Sequence, residues 1–366
     1  MAVEPVLTIE DLRTYFYSRS KRAFIRSVDG VGLQVRRGET LGIVGESGSG
    51  KSVTALSVIG LIDAEPGVIT GRVGFRVNGT EWSLLPSIGD HVSLAEEDGR
   101  IVEVVKDNRG WRRKVDRLMH GVRGREISMI FQNPRVSLNP FVTIGSQVAE
   151  SVLLNTGIRN RREAAEKARY WLEQVRMDSP GLRFAQYPGD LSGGMCQRAM
   201  IAMALSSEPS LLIADEPTTG LDSTIQSKIV ELLDDLKKAV GVTTVLISHD
   251  INVVARLSDS VAVMYGGTVL EYGPADRVLS PDFLPKHPYV EALLESIPSE
   301  RHIKDGLLPR AIEGEVLDTV NAPRGCRFFD RCHRITNGIE EKCRDLEPDL
   351  AEISAGHQMR CWLHIG

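Results

Sequence analysis

Apolar positions along this chain come in short bursts whose spacing changes from region to region. Val6-Leu7-Thr8-Ile9, Ile25–Val35 and Thr40–Val44 are apolar or alternating runs broken by Gly30, Gly32 and Gly38, which predicts a β-rich stretch over 6–45. Thr40-Leu41-Gly42-Ile43-Val44 has the pattern of a strand buried on both faces. Ser52–Leu61 then changes to helical spacing. Gly71–Val77 and Ile127–Phe131 read as strands, and His91–Val105 as a hairpin turning at Glu97-Asp98-Gly99. Residues 141–190 are mostly helical. Asn160 is an N-cap for Arg161–Met177, where Ala164, Ala165, Ala168, Trp171, Leu172 and Val175 keep helical spacing. A helix from Gly193 to about Ser206 follows. Strands Leu211–Ala214 and Thr243–Ile247 enclose a helix over Ile225–Ala239, and strands Val261–Tyr265 and Thr268–Glu271 come after them. Strands alternating with helices predict an α/β fold with a mainly parallel sheet. Pro281–Pro288 marks a boundary, Tyr289–Ile297 a short helix, and the remainder a loop-rich tail.

Composition narrows this little. At 366 residues the chain is long enough for two or three domains and a large core. Its net charge of −5 gives no global attraction to nucleic acid or anionic lipid. No segment approaches the roughly 20 apolar residues that span a bilayer. The first residues have neither a basic nor an apolar signal region, so a cytoplasmic chain is expected. Two local features stand out. Lys106–Arg125 holds eight Lys/Arg against two Asp, inside a segment (about 78–124) that reads as an insertion in a β-subdomain. The expectation is a solvated arm that touches a partner or lipid headgroups rather than nucleic acid. Four of the five cysteines, Cys326, Cys332, Cys343 and Cys361, lie in the tail, and in a reducing compartment such a group favours metal over disulfides. Their spacing matches neither zinc ribbons nor bacterial ferredoxins, which leaves buried unligated thiols as an open alternative.

The chemistry sits at strand ends. Gly45-Glu46-Ser47-Gly48-Ser49-Gly50-Lys51-Ser52 is a complete phosphate loop between a predicted strand and a predicted helix. Its glycines (Gly45, Gly48, Gly50) and Ser47 let successive backbone N–H groups curl around phosphate oxygens. Lys51 is placed for the β- and γ-phosphates and Ser52 for Mg²⁺. Strand Leu211–Ala214 delivers Asp215 and Glu216 at its carboxyl end, where α/β sheets place ligands. Asp215 suits the Mg²⁺ shell, and Glu216 suits a role polarising the attacking water. His249 follows strand Thr243–Ile247 and can reach the γ-phosphate. Gln132, after Ile127–Phe131, can sense Mg²⁺ and that water. Leu191-Ser192-Gly193-Gly194-Met195 opens a helix and is a second anion-ready terminus. One chain needs no second phosphate site for one ATP, so this motif makes sense if it closes on ATP held by another subunit.

These motifs, in this order over roughly residues 6–275, resemble ATP-binding-cassette ATPases. The resemblance implies a P-loop NTPase core with an antiparallel β-subdomain and a helical subdomain over about 141–190, together filling 1–280. It also implies a head-to-tail dimer. Each ATP would lie between Lys51, Asp215, Glu216 and His249 of one subunit and Ser192, Gly193 and Gly194 of the other, with Thr219-Gly220-Leu221-Asp222 crossing the interface. Phe16 would stack on adenine, with Tyr15 and Tyr17 close behind.

A narrower resemblance, to the ATP-binding subunits of oligopeptide/dipeptide permeases, rests on several matching segments. They are the phosphate loop, Met129-Ile130-Phe131-Gln132-Asn133-Pro134, Ser137-Leu138-Asn139-Pro140, Met195, His287-Pro288-Tyr289 and the terminal cysteines. It implies a 281–366 extension in which Cys326, Cys332, Cys343 and Cys361 hold a [4Fe–4S] cluster, with Zn²⁺ as the alternative. The implied partners are a second, homologous ATPase subunit, two membrane permeases and an extracytoplasmic solute-binding protein. The implied place is the cytoplasmic face of the membrane. Oligopeptides or dipeptides are the implied cargo, with oligosaccharide a second possibility. Cys196 departs from the pattern, standing where the family has Arg. A soluble cassette ATPase acting on nucleic acid, gripping through the basic arm and tail, is the competing expectation.

Overall fold

The computed structural model describes residues 4–97, 100–298, 308–336 and 338–365. The predicted hairpin turn at Asp98-Gly99 lies outside them. Strands Pro5–Ser18 and Ala23–Arg36 are each 14 residues long and pair antiparallel. With Pro66–Val77 and Thr80–Ser83 they form a four-stranded antiparallel sheet. Strands Val92–Glu97 and Arg100–Lys106 make a separate two-stranded sheet. Val92 and Ile101 from that hairpin pack with Tyr15 and Ile69 as a small apolar cluster.

The second large sheet has eight strands. Its order is Ala351–Ser354, His357–Met359, Thr268–Pro274, Ser260–Tyr265, Thr40–Val44, Thr243–Ile247, Leu211–Asp215 and Ile127–Ile130. The last five are parallel to one another. Thr40–Val44, Leu211–Asp215 and Thr243–Ile247 are buried at every position, as fully covered parallel strands require. Helices Ile144–Asn155, Arg161–Gln174 and Gly193–Leu205 pack together beside this sheet around Trp171, Leu172 and Ile201. Asn160 caps the second of them, accepting from the N–H groups of Arg162 and Glu163.

Two expectations change. Lys106–Arg125, read as a charged arm, contains the helix Asn108–Met119. Trp111, Val115 and Met119 recur every four residues and are buried, while Arg112, Arg113, Lys114 and Arg117 face water. The density of charge masked that apolar stripe. Lys106 itself turns inward. It donates to the carbonyls of Pro66 (2.7 Å) and Val68 (2.6 Å) and lies 4.2 Å from the centre of the Trp111 ring. The tail is also not only loops, because its hairpin 351–359 extends the core sheet. Glu271, fully buried, fastens it: its carboxylate accepts from the His287 N–H at 2.7 Å and meets His357 Nε2 at 2.9 Å.

Glu271→Ala strands both of those groups. It is expected to cost about 3 kcal/mol, read as a lower urea midpoint at unchanged slope. Lys106 carries a pH signature as well. Burial pushes its ammonium down to about 7, only partly offset by Glu65. Between pH 7 and the ordinary lysine value the unfolded chain therefore binds more protons than the folded one, and stability rises with pH across that window. The stability of wild type minus that of Lys106→Met should climb from pH 7 to pH 10. A flat difference would mean the ammonium keeps its ordinary value.

Candidate functional site

The phosphate loop begins where Val44 leaves the centre of the parallel sheet and ends where helix Lys51–Val58 starts. Gly45 and Gly50 sit at φ +150° and +100°, conformations that a side chain resists, so the loop can turn twice within six residues. Lys51 folds back over it. Its Nζ donates to the carbonyls of Gly45 (2.8 Å) and Glu46 (2.9 Å) and approaches Ser49 Oγ at 3.4 Å. Burial pulls the Lys51 ammonium below its ordinary value, although Glu216, Asp215 and Glu46 all favour its charge.

Ser52 Oγ donates to Asp215 Oδ1 at 2.8 Å. Two hard oxygen donors, one from the loop helix and one from a neighbouring strand end, thus stand within reach of a single small cation. That set fits Mg²⁺, which is held by few protein ligands plus phosphate and water. Burial raises the Asp215 carboxyl above its ordinary value against the Ser52 bond, with Glu216 adding to the rise.

Glu216, one residue on, sits at φ +46°, uncommon for a non-glycine residue and a feature that clusters at functional sites. Three side chains reach its Oε2: Thr219 Oγ1 donates at 2.7 Å, Gln132 Nε2 at 2.8 Å, and His249 Nδ1 lies at 3.4 Å. Burial alone would push this carboxyl up, but Thr219, His249 and Gln132 together hold it below the ordinary range. Gln132, Glu216 and His249, read separately from three strand ends, therefore meet at one oxygen.

The second motif stands apart from this group. Ser192 is exposed and caps helix Gly193–Leu205, accepting from the Met195 N–H at 3.3 Å. A Cβ on Gly194 would come within 2.7 Å of Ile225, so glycine is needed where this helix meets Ser223–Val240. Asp222 caps that second helix, accepting from the Ile225 N–H at 3.0 Å. Cys196 is fully buried, its thiol pointing at the Pro188 carbonyl. Among the N-terminal aromatics, Tyr15 is in the core with its hydroxyl on Asp29 at 2.6 Å, and Tyr17 packs edge-on against Phe24. Phe16 is half-buried with no ring partner among the described residues, and it remains the adenine candidate.

The four tail cysteines line one enclosed cavity with His287, Phe328 and Trp362. That cavity is only about 10 Å³, the room of one water, and among the described residues no three His, Cys, Asp or Glu side chains are placed to hold a metal. The four cysteines expected to share a site thus share the wall of one small pocket. Burial pushes the Cys326 and Cys361 thiols up to about 12, so both stay protonated at neutral pH. No helix among the described residues is long and apolar enough to cross a membrane.

Sequence reasoning missed what three contributors do. Thr219 follows Glu216 by a turn's spacing, which was a usable signal. Tyr289 stood in the matching segment His287-Pro288-Tyr289 with no role attached, and Arg331 had no signal: Arg331 Nη1 lies 2.7 Å from the Glu46 carboxylate 285 residues away, and the Tyr289 hydroxyl accepts from the Glu46 N–H at 3.0 Å.

Comparison with known proteins agrees with this geometry. Residues 28–219 match the ABC transporter family, and residues 270–338 match the oligopeptide/dipeptide transporter C-terminal region. A probable peptide ABC transporter ATP-binding protein of Sinorhizobium fredii is 40% identical over 98% of this chain and 94% of its own. The oligopeptide transport ATP-binding protein AppD of Bacillus subtilis is 39% identical over 98% of this chain and 97% of its own. The dipeptide transport ATP-binding protein DppD of Escherichia coli is 38% identical over 97% and 96%. Among solved structures, a dimeric ATP-binding cassette, MJ0796, bound to ADP and Pi superposes with a TM-score of 0.55 at 26% identity, covering 74% of this chain and 98% of that one. With its two phosphate motifs, its carboxylate pair and its cysteine-bearing tail, the chain belongs to the ATP-binding cassette family of ABC transporters, in the branch that carries the oligopeptide/dipeptide C-terminal region.

Proposed function

We propose that this chain hydrolyses ATP to drive peptide import, working with a second ATPase chain, two membrane permeases and a solute-binding protein. The observation that carries the reading is the meeting of Gln132, Thr219 and His249 at Glu216, beside Ser52, Asp215 and Lys51. The names of the relatives support the peptide cargo.

In this mechanism the loop N–H groups and the helix N-terminus behind them take the phosphate oxygens, and Phe16 stacks on adenine. Lys51 leaves the Gly45 and Glu46 carbonyls for the β- and γ-phosphates. Ser52, Asp215 and Gln132 would hold Mg²⁺, which would supply neutralisation of charge on the phosphates. Glu216, kept ionised by its three neighbours, orients the attacking water, and His249 stays in reach of the γ-phosphate. Ser192, Gly193 and Gly194 of a homologous partner would close over the same ATP, with Asp222 at that seam. The exposed Ser192 supports this part of the reading.

Closure would reach the permeases through a groove of about 260 Å³ between the Gln132 loop and the helices over 141–190. It is lined by Leu61, Met129, Phe131, Leu138, Met200 and Met203. Val136 and Phe141 are more than four-fifths exposed, which supports a covering partner. Docking there would hold the chain at the cytoplasmic face. The boundaries stand as proposed: a nucleotide-binding part over 1–280 and an extension over 281–366. A [4Fe–4S] cluster or Zn²⁺ in the extension is a separate proposal, supported by four thiols sharing one cavity wall.

Glu216→Gln should keep MgATP binding and lower kcat by about 100-fold or more. A variant as fast as wild type would remove Glu216 from the chemistry. Mild solubilisation of the native membrane should bring two permeases and a second cassette chain along with this one; nucleic acid in their place would favour the competing expectation. For the cysteines, anaerobic purification should yield iron and labile sulfide that Cys332→Ser loses. A metal-free chain with four free thiols would leave the quartet as packing.

A further inference from the structure

Every polar group of Glu46 is engaged. Its carbonyl accepts from Lys51, its N–H donates to the Tyr289 hydroxyl at 3.0 Å, and its carboxylate takes two nitrogens of Arg331 at 2.7 and 3.1 Å. Two of these three partners come from the tail. Arg331 is locked in turn. Its side chain is 4% exposed and lies against the rings of Tyr265 and Phe328. It also donates to the carbonyls of Glu313 (2.9 Å) and Ile312 (3.3 Å). Tyr289 is fully buried, its ring 4.8 Å from Tyr265 and 5.3 Å from Phe328.

We infer that Arg331 and Tyr289 are positioning residues for MgATP, acting through Glu46; this rests on the reading of Gly45–Ser52 as the ATP site. Two physical arguments carry it. A phosphate loop binds by aiming successive N–H groups, so a loop fixed beforehand loses less freedom on binding. When Lys51 moves to the phosphates, Glu46 loses one of its three partners, and the tail then supplies the other two. The second argument is charge. Glu46 puts a carboxylate inside a loop that must receive a highly anionic triphosphate, and the Arg331 fork neutralises it in place.

Full-length variants test this with MgATP by calorimetric titration and steady-state hydrolysis. Arg331→Ala should weaken MgATP binding about tenfold, equal to about 1.4 kcal/mol, with kcat within about twofold of wild type. Arg331→Lys should recover part of the loss, since it keeps the charge without the fork. Adding Glu46→Gln to Arg331→Ala should restore affinity by removing the stranded charge, which a purely structural defect would not allow. Asp318→Ala breaks the exposed Lys21 pair elsewhere on the tail and should leave affinity unchanged. If Arg331→Ala fails to fold, Tyr289→Phe, which removes only the acceptor oxygen, decides: a several-fold rise in KM supports the inference and wild-type KM overturns it. Wild-type affinity in Arg331→Ala, or a loss that Glu46→Gln leaves untouched, also overturns it. A wild-type chain that fails to bind MgATP would instead bring down the reading of the loop, and this inference with it.

Discussion

Backbone pairing of Thr40–Val44 between Thr243–Ile247 and Ser260–Tyr265 is the constraint from which the site follows. Parallel pairing brings the carboxyl ends of neighbouring strands to the same edge. Gly45, Gln132, Glu216 and His249 each lie within two residues of such an end. Residues from four distant parts of the chain therefore share one edge of the sheet. A one-residue slip in any of these pairings would turn its strand over and take its residue out of the group.

At that edge two adjacent carboxyls are pushed in opposite directions. Asp215 is the more buried, with one serine hydroxyl as its hydrogen-bond partner, and is raised. Glu216 is more open, held by a threonine, an amide and an imidazole, and is lowered. Each is suited to a different task. A buried carboxylate with few partners suits a cation as its counter-charge, and one held ionised by neighbouring donors suits a polarised water. Glu216 takes a left-handed backbone at φ +46°, and its side chain meets Gln132 and His249.

The legible part of the molecule was the part encoded over short spans. The glycine loop, the strand-end carboxylates and the Asn160 cap follow from neighbours a few residues apart, and the structure has each in the expected local setting. Helix Asn108–Met119 was hidden because a high density of cations outweighed three apolar residues at a spacing of four. The Glu46–Arg331 pair was invisible for another reason. Each residue alone is an ordinary charged side chain, and nothing periodic links positions so far apart. The thiol pocket is a different case: the cysteines share one cavity, and nothing in their spacing discloses that His287, Phe328 and Trp362 line it with them.

The hairpin 351–359 has a consequence for how the molecule is made. It pairs with Thr268–Pro274, a strand of the central sheet that leaves the ribosome long before it. Through that interval the outer edge of 268–274 has open backbone groups and a carboxylate, Glu271, waiting for His357. Unpaired edges of this kind invite other chains. The order of synthesis thus leaves that edge open until 351–359 has emerged and paired with it.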